Sequence, residues 1–212
     1  MSHDCCHGKG HELEQMAHHK DIRRVLVIVL LLNALMFVLE FGAGLVARSA
    51  ALMADSVDML GDAMVFAISL YALKRSLRWR AGSALIKGGF ILLMGLGVLV
   101  EIAIKLVWGA QPVPGIMLIF GGMALVANLS CLGLLWPYRG HDVNLASTFE
   151  CARNDVVANL GVLAAAALVS LTDAAWPDAL VAAAIAFMFL RSSLKVLADA
   201  WPQYRSTMQP AA

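Results

Sequence analysis

The chain has 212 residues, of which 60% are hydrophobic and 15% are charged, and its mean hydropathy is +0.76. A soluble domain of this size is far less apolar, so the composition indicates an integral membrane protein. The net charge of +1 and the lack of a basic patch interleaved with aromatic residues give no sign of a nucleic-acid partner.

Six apolar runs follow one another along the chain. A helix needs about 20 mostly apolar residues to cross the hydrocarbon region of a bilayer. The runs that reach this length are Val25–Ala47, Ala50–Leu73, Ala84–Val107, Val113–Trp136, Leu145–Leu171 and Asp178–Leu197. We therefore predict an all-α integral membrane protein with six transmembrane helices. The first run is too long for a signal-peptide core and is expected to stay in the protein as a membrane span.

The basic residues predict how the chain is oriented. If both termini are cytoplasmic, nearly all Lys and Arg residues fall on the cytoplasmic side, and only Arg48 and Lys105 fall opposite. We therefore predict a multi-pass protein of the cell (inner) membrane with both termini in the cytoplasm. The predicted parts are a His/Cys-rich cytoplasmic tail at 1–22, a transmembrane domain at 23–198 and a short cytoplasmic tail at 199–212.

The second apolar run, ALMADSVDMLGDAMVFAISLYAL, contains three aspartates. In a helix, Asp55, Asp58 and Asp62 lie within about 60° of one another and form one narrow stripe. An ionisable group at the bilayer centre costs roughly 2.5 to 3.5 kcal/mol on insertion scales, so such groups usually face the interior of a bundle and mark an ion pathway or site. The stripe is therefore a candidate functional site.

The fifth apolar run carries a second pair of metal donors, because Cys151 and Asp155 lie one helical turn apart. If the two helices face each other, Asp58 and Asp62 join Cys151 and Asp155 in a cluster of three carboxylates and one sulfur. Such a set suits tetrahedral Zn²⁺, and the sulfur adds a preference for softer ions such as Cd²⁺.

The predicted cluster also favours exchange with protons. Three carboxyl groups and a thiol in a low-dielectric site cannot all be ionised. An empty site should therefore hold protons, which a divalent cation has to displace. Export of metal against entry of protons follows from this chemistry.

Other polar residues receive lesser roles. We expect Asp55 and Asn159 to orient or hydrogen-bond the metal ligands. Glu40 is expected either to form an ion pair with Arg153 or to line the access route. Cys131 has no donor at helical spacing, and we expect it to be an apolar core residue. Lys105 lies one turn after Glu101 and is expected to pair with it.

The N-terminal segment MSHDCCHGKGHELEQMAHHKD concentrates histidine and cysteine. A short tract of this kind often binds metal, although it has no C-x-x-C spacing and predicts only a low-specificity metal collector. The residues concerned are His3, Cys5, Cys6, His7 and His11. Because the tail is placed in the reducing cytoplasm, its cysteines are expected to be thiols.

Two segments together resemble the cation diffusion facilitator family of proton-coupled metal exporters. The stretch RSAALMADSVDMLGDAM resembles the family pattern S-x-A-L-x-A-D-x-x-[HD]-x-x-x-D, and FECARNDVVANLGVL resembles F-x-H-x-x-x-D. WPDAL, before the sixth run, is similar to the Asp-Pro start common there. The resemblance places the family's metal ligands on Asp58, Asp62, Cys151 and Asp155, with cysteine at the position where histidine is usual.

The resemblance also implies an architecture. Helices 1, 2, 4 and 5 should form an inner bundle around the site, with helices 3 and 6 paired outside. The transported ion would be Zn²⁺ or a similar divalent cation such as Cd²⁺ or Co²⁺, and no catalytic cofactor is expected. The sequence resembles a short form that lacks the family's C-terminal cytoplasmic domain, which leaves open whether it forms a homodimer.

Two other classes compete with a transporter. LMADSVDMLGDAM also resembles the CDP-alcohol phosphotransferases, membrane enzymes that use metal-binding aspartates. Here Ala54 occupies a glycine position of their pattern, and the upstream D-G-x-x-A-R is missing. A non-transporting membrane metal-binding protein fits the same ligands and differs only in showing no metal flux.

Overall fold

The structure is a computed structural model that describes residues 4–72, 77–109, 111–138 and 143–206; within these ranges some side chains, including those of residues 4–20 and Cys151, are not described. All regular elements in the described ranges are helical. They are α1 (Asp4–Ala47), α2 (Ala50–Ala72), α3 (Leu77–Trp108), α4 (Pro114–Leu135), a 3₁₀ turn (Trp136–Tyr138), α5 (Val143–Thr172) and α6 (Trp176–Ser206). The predicted all-α, six-helix fold class is confirmed.

The helix ends agree with the predicted spans most closely at the connections between α1 and α2 and between α3 and α4. At the opposite end, α3 begins before the predicted Ala84 and α6 continues past the predicted Leu197. The predicted spans followed hydropathy, whereas a helix continues into charged sequence because Lys and Arg are good helix formers. The helices therefore extend beyond the apolar zone.

The outer surface of the bundle is apolar, as a bilayer requires. Within the described residues, five helices contain windows apolar enough to span a membrane. The remaining helix, α2, has 23 residues and three aspartates and packs between its neighbours. Large side chains such as Leu31, Val38 and Leu171 are exposed outward. Exposed tryptophans lie near helix ends on both sides, where membrane interfaces favour them: Trp108, Trp136, Trp176 and Trp201.

A two-residue turn joins α1 to α2. Arg48 adopts a left-handed conformation (φ 52°), and the Ser49 N–H donates to the Gly44 carbonyl at 2.9 Å. At Gly44 the helices approach so closely that an added Cβ would lie 2.7 Å from Cγ of Met53 and 3.1 Å from its backbone nitrogen. A glycine is therefore needed where the hairpin closes.

The six helices pack in a defined order around the bundle. The most extensive helix pairs are α3 with α6, α1 with α2, and α4 with α5. Further contacts join α1 to α4 and α2 to α5, while α2 also touches α3 and α6. These contacts place α2 near the centre of the bundle. The division into an inner bundle and an outer pair stays a prediction.

Two apolar clusters lie toward opposite ends of the bundle. At the end with the α1–α2 turn, small side chains dominate, among them Ala47, Ala50, Ala54, Ala165 and Ala182. Small residues let membrane helices approach one another closely. Toward the other end, a second cluster contains Val29, Phe66, Cys131, Leu135 and Ala152. The acidic residues of α2 lie between these clusters along the helix.

Candidate metal transport site

The aspartates of α2 and α5 face each other across the contact between these helices. Asp155 of α5 is buried and hydrogen-bonds Asp62 of α2, and it lies within electrostatic range of Asp58 and Asp55. Asp58 and Asp62 themselves are half-buried. Because carboxylates have no proton to donate, a hydrogen bond between two carboxyl groups requires that one of them be protonated. The pair can thus hold a proton or, once ionised, offer oxygens to a cation.

Asn159 connects the two helices beside this pair. Its Nδ2 donates to the Asp155 carbonyl within α5 at 2.9 Å and to Oδ1 of Asp55 across the interface at 3.5 Å. Asn159 is wholly buried, and its Oδ1 has no hydrogen-bond partner in the part of the chain that the structure describes. The amide group is therefore held by α5 while it supports a carboxyl group of α2.

Glu40 of α1 lies against Asp55. Its side chain is wholly buried, and among the described residues neither of its carboxyl oxygens has a hydrogen-bond donor within reach. Asp55 is the charged group that acts most strongly on it, and the two carboxyl groups bond when one carries a proton. Sequence reasoning proposed Glu40 for the access route but did not foresee its contact with Asp55.

Cys131 of α4 is buried as predicted, but its surroundings are polar as well as apolar. Asn33 of α1 donates to its Sγ at 3.9 Å, and Asp155 and Asp62 are close enough to act on it electrostatically. The predicted core position of Cys131 is confirmed, whereas its polar neighbours were not foreseen. Helical spacing relates residues of one helix only, and Asn33 and Cys131 are on different helices.

Several predicted donors lie outside the described part of the chain. The side chains of Cys151, Cys5, Cys6, His7 and His11 are not described, nor is His3. Among the side chains that are described, no three His, Cys, Asp or Glu groups lie close enough together to enclose a metal ion. The complete ligand set of Asp58, Asp62, Cys151 and Asp155 therefore stays a prediction.

The Lys105 pair is confirmed, since its Nζ lies 3.2 Å from Oε1 of Glu101. The Lys105 side chain is buried and that of Glu101 is partly exposed. The pair is internal to α3, and neither residue belongs to the α2–α5 contact.

In the described part of the chain, six helices, five of them apolar enough to span a membrane, enclose acidic residues at an internal interface. This arrangement defines a multi-pass membrane protein built around a cation pathway. The chain matches the Cation efflux transmembrane domain over residues 26–202. It belongs to the cation efflux family, that is, the cation diffusion facilitators. It is a membrane transporter of metal cations rather than an enzyme, which argues against the phosphotransferase alternative.

Two curated relatives are similar over most of the chain. The metal cation efflux system protein CzcD of Cupriavidus metallidurans is 26% identical over 215 residues, which cover 92% of this chain and 67% of the relative. The cation efflux system protein CzcD of Alcaligenes sp. has the same identity and coverage.

Proposed function

We propose that this transporter exports Zn²⁺, or a similar divalent ion such as Cd²⁺ or Co²⁺, from the cytoplasm in exchange for protons. One observation carries the proposal: Asp155 of α5 meets Asp62 of α2, with Asp58 close by, inside a cation efflux domain. Buried carboxyl groups are costly within a membrane, and their convergence from two helices marks a cation pathway.

Asp58, Asp62, Cys151 and Asp155 would hold the ion in this proposal. Carboxylate oxygens and one thiolate sulfur suit Zn²⁺, and the sulfur favours thiophilic ions over Mg²⁺ or Ca²⁺. Asn159 supports the site by fixing Asp55 beside the ligands, as hydrogen-bonded neighbours of metal ligands commonly do.

Proton exchange follows from the bonding of the carboxyl groups. In this proposal the Asp62–Asp155 pair holds a shared proton, which a divalent ion binding to both carboxyl groups would displace. With both termini on the cytoplasmic side of the inner membrane, metal would enter from the cytoplasm and protons from the opposite side. A lipid bilayer around the apolar surface is part of this arrangement.

The proposal is tested with the purified full chain in lipid vesicles whose interior is acidic. Uptake of Zn²⁺ should accelerate with the imposed proton gradient and return to the background rate when a proton ionophore collapses it. Asp62→Asn and Asp155→Asn should each abolish uptake. Asp21→Asn, at an exposed position at the very start of the first span, is the matched control and should transport as the wild type does.

Two results would contradict the proposal. If Zn²⁺, Cd²⁺ and Co²⁺ all fail to enter the vesicles although they bind the protein, the chain is a metal-binding protein without transport. If Asp62→Asn and Asp155→Asn carry metal at the wild-type rate, the site has been assigned to the wrong residues.

A further inference from the structure

The N-terminus of α2 is capped by a carboxylate from α6. Oδ1 of Asp178 accepts hydrogen bonds from Ser49 Oγ at 2.5 Å and from the Ala51 N–H at 3.1 Å, and Oδ2 accepts one from the Ala50 N–H at 2.7 Å. Asp178 is 1% exposed, and Ser49, Ala50 and Ala51 are wholly buried. The first N–H groups of a helix lack partners within the helix, so α2 depends on a distant residue for two of them.

Ser49 hydrogen-bonds both to Asp178 of α6 and to the first turn of α2. Its Oγ donates to Asp178 and also accepts from the Leu52 N–H at 3.1 Å, as an N-cap serine does. A negative charge at this position also interacts favourably with the helix dipole of α2. The cap therefore joins local capping within α2 to a contact between two helices.

The hydrogen bonds from both Asp178 oxygens to the backbone of α2 fix the rotation of this helix about its axis. Adjacent backbone nitrogens lie about 100° apart around a helix axis, so a single carboxylate that binds the N–H groups of both Ala50 and Ala51 favours one rotation of the helix. Ala51 lies on the same face as Asp55, Asp58 and Asp62, within about 40° of each. Asp58 lies about 10 Å further along the α2 axis than Ala51. The direction of the aspartate stripe is thus set at the cap.

Asp178 belongs to a helix that is itself held firmly by α3. The α3–α6 contact is the most extensive in the bundle, and Ser193 of α6 donates to the Gly88 carbonyl of α3 at 2.5 Å. The cap therefore fixes the position of α2 relative to the α3–α6 pair, which supplies none of the proposed metal ligands.

We propose that Asp178 is a positioning residue for metal transport, which aligns α2 so that Asp58 and Asp62 meet Asp155. This inference rests on the proposed function of that site. Asp178 does not touch the metal, because it lies at the end of the bundle and acts through the backbone of α2.

The test compares Asp178→Asn, Asp178→Glu and Ser49→Ala in the full chain. The amide of Asp178→Asn turns one acceptor into a donor that opposes a backbone N–H, whereas Asp178→Glu keeps both acceptor oxygens. Zn²⁺ affinity is measured by calorimetry in detergent, and Zn²⁺ uptake in vesicles is normalised to folded protein. Asp173→Asn, an exposed aspartate at the same end of the bundle, is the matched control.

We expect Asp178→Asn to weaken Zn²⁺ binding by about ten-fold, in the range seen when a group that orients metal ligands is lost. The zinc concentration for half-maximal uptake should rise accordingly. Asp178→Glu should restore most of the affinity, and Asp173→Asn should leave it unchanged. Ser49→Ala should have a smaller effect in the same direction, and the double variant should lose less than the sum because both changes break one contact.

Separate results identify separate failures. If the wild type transports Zn²⁺ and Asp178→Asn lowers only the unfolding temperature, while affinity and uptake per folded molecule stay at wild-type values, Asp178 is only a structural cap and the inference is overturned. Ser49→Ala decides the question in the same way if Asp178→Asn does not fold. If the wild type moves no metal, the proposed function fails, and the inference fails with it.

Discussion

Asn159 of α5 donates one hydrogen bond to its own helix and a second to Asp55 of α2, so a single buried amide spans the interface that carries the acidic residues. The bond to the Asp155 carbonyl holds the amide in place, and the 3.5 Å contact with Oδ1 then orients the Asp55 carboxyl group. The helix interface is thus tied together next to the proposed ligands.

Replacing Asn159 with alanine should weaken metal binding without unfolding the protein. Asp55 loses its donor and can move relative to the ligands, and loss of such a partner typically reduces metal affinity by about ten-fold or more. Calorimetric titration with Zn²⁺ measures the change. Ser130→Ala is the control, because Ser130 bonds only its own helix at an exposed position, and its affinity should match that of the wild type. Equal affinities for wild type and Asn159→Ala would contradict the prediction.

Replacing Gly44 with alanine should destabilise the α1–α2 hairpin. The new Cβ would lie 2.7 Å from the side chain of Met53 and 3.1 Å from its backbone, so the helices have to separate. Overpacking of this kind costs about 1 to 3 kcal/mol. Gly42→Ala, on the same helix, is a close control, since a Cβ there meets no described atom within 4 Å. Thermal unfolding in detergent should separate the two variants, and similar unfolding temperatures would refute this view of Gly44.

The buried Glu40 should tolerate glutamine but not alanine. The amide of Glu40→Gln can donate to Asp55 without needing a shared proton, so the variant should be at least as stable as the wild type at neutral pH. Alanine instead leaves a cavity beside Asp55, which costs about 2 to 5 kcal/mol by analogy with large-to-small core changes. Unfolding temperatures of the three proteins test the order, and a glutamine variant as unstable as alanine would contradict it.

Replacing Cys151 with histidine should change which metals are carried. Nitrogen in place of sulfur lowers the preference for Cd²⁺ relative to Zn²⁺, because thiolate favours the softer ion. Competitive uptake of the two metals in vesicles gives the ratio directly. Cys131→Ser controls for the loss of a thiol near the site, and its ratio should stay close to that of the wild type. An unchanged ratio in Cys151→His would mean that the sulfur does not select the ion.

Much of the fold could be predicted because each helix that crosses a bilayer needs an apolar run of matching length, which the sequence shows directly. The end of α1 at Ala47 and the start of α2 at Ala50 follow from the apolar pattern and from the Arg48–Ser49 turn. The aspartate stripe of α2 follows from helical periodicity alone. These features depend on residues that are near one another in sequence.

The contacts that sequence reasoning missed all join residues on different helices. Asp178 caps α2 from 128 residues away, and Asn33 reaches Cys131 across 98 residues. No period along one helix encodes such pairs, because they depend on which helices become neighbours and at what height. A serine before an Ala-rich helix start, as at Ser49, is the one local sign that a cap was needed.

The short hairpin at Arg48 and Ser49 has a consequence for how the molecule can move. Only two residues connect α1 to α2, and Gly44 packs closely against Met53 where the hairpin closes. The connection is therefore too short for the two helices to slide past each other. They are expected to travel as one unit, so that Glu40 stays beside Asp55 throughout a transport cycle. Movement between cytoplasm-facing and outward-facing forms would then occur where the α1–α2 hairpin contacts α4, α5 and the α3–α6 pair.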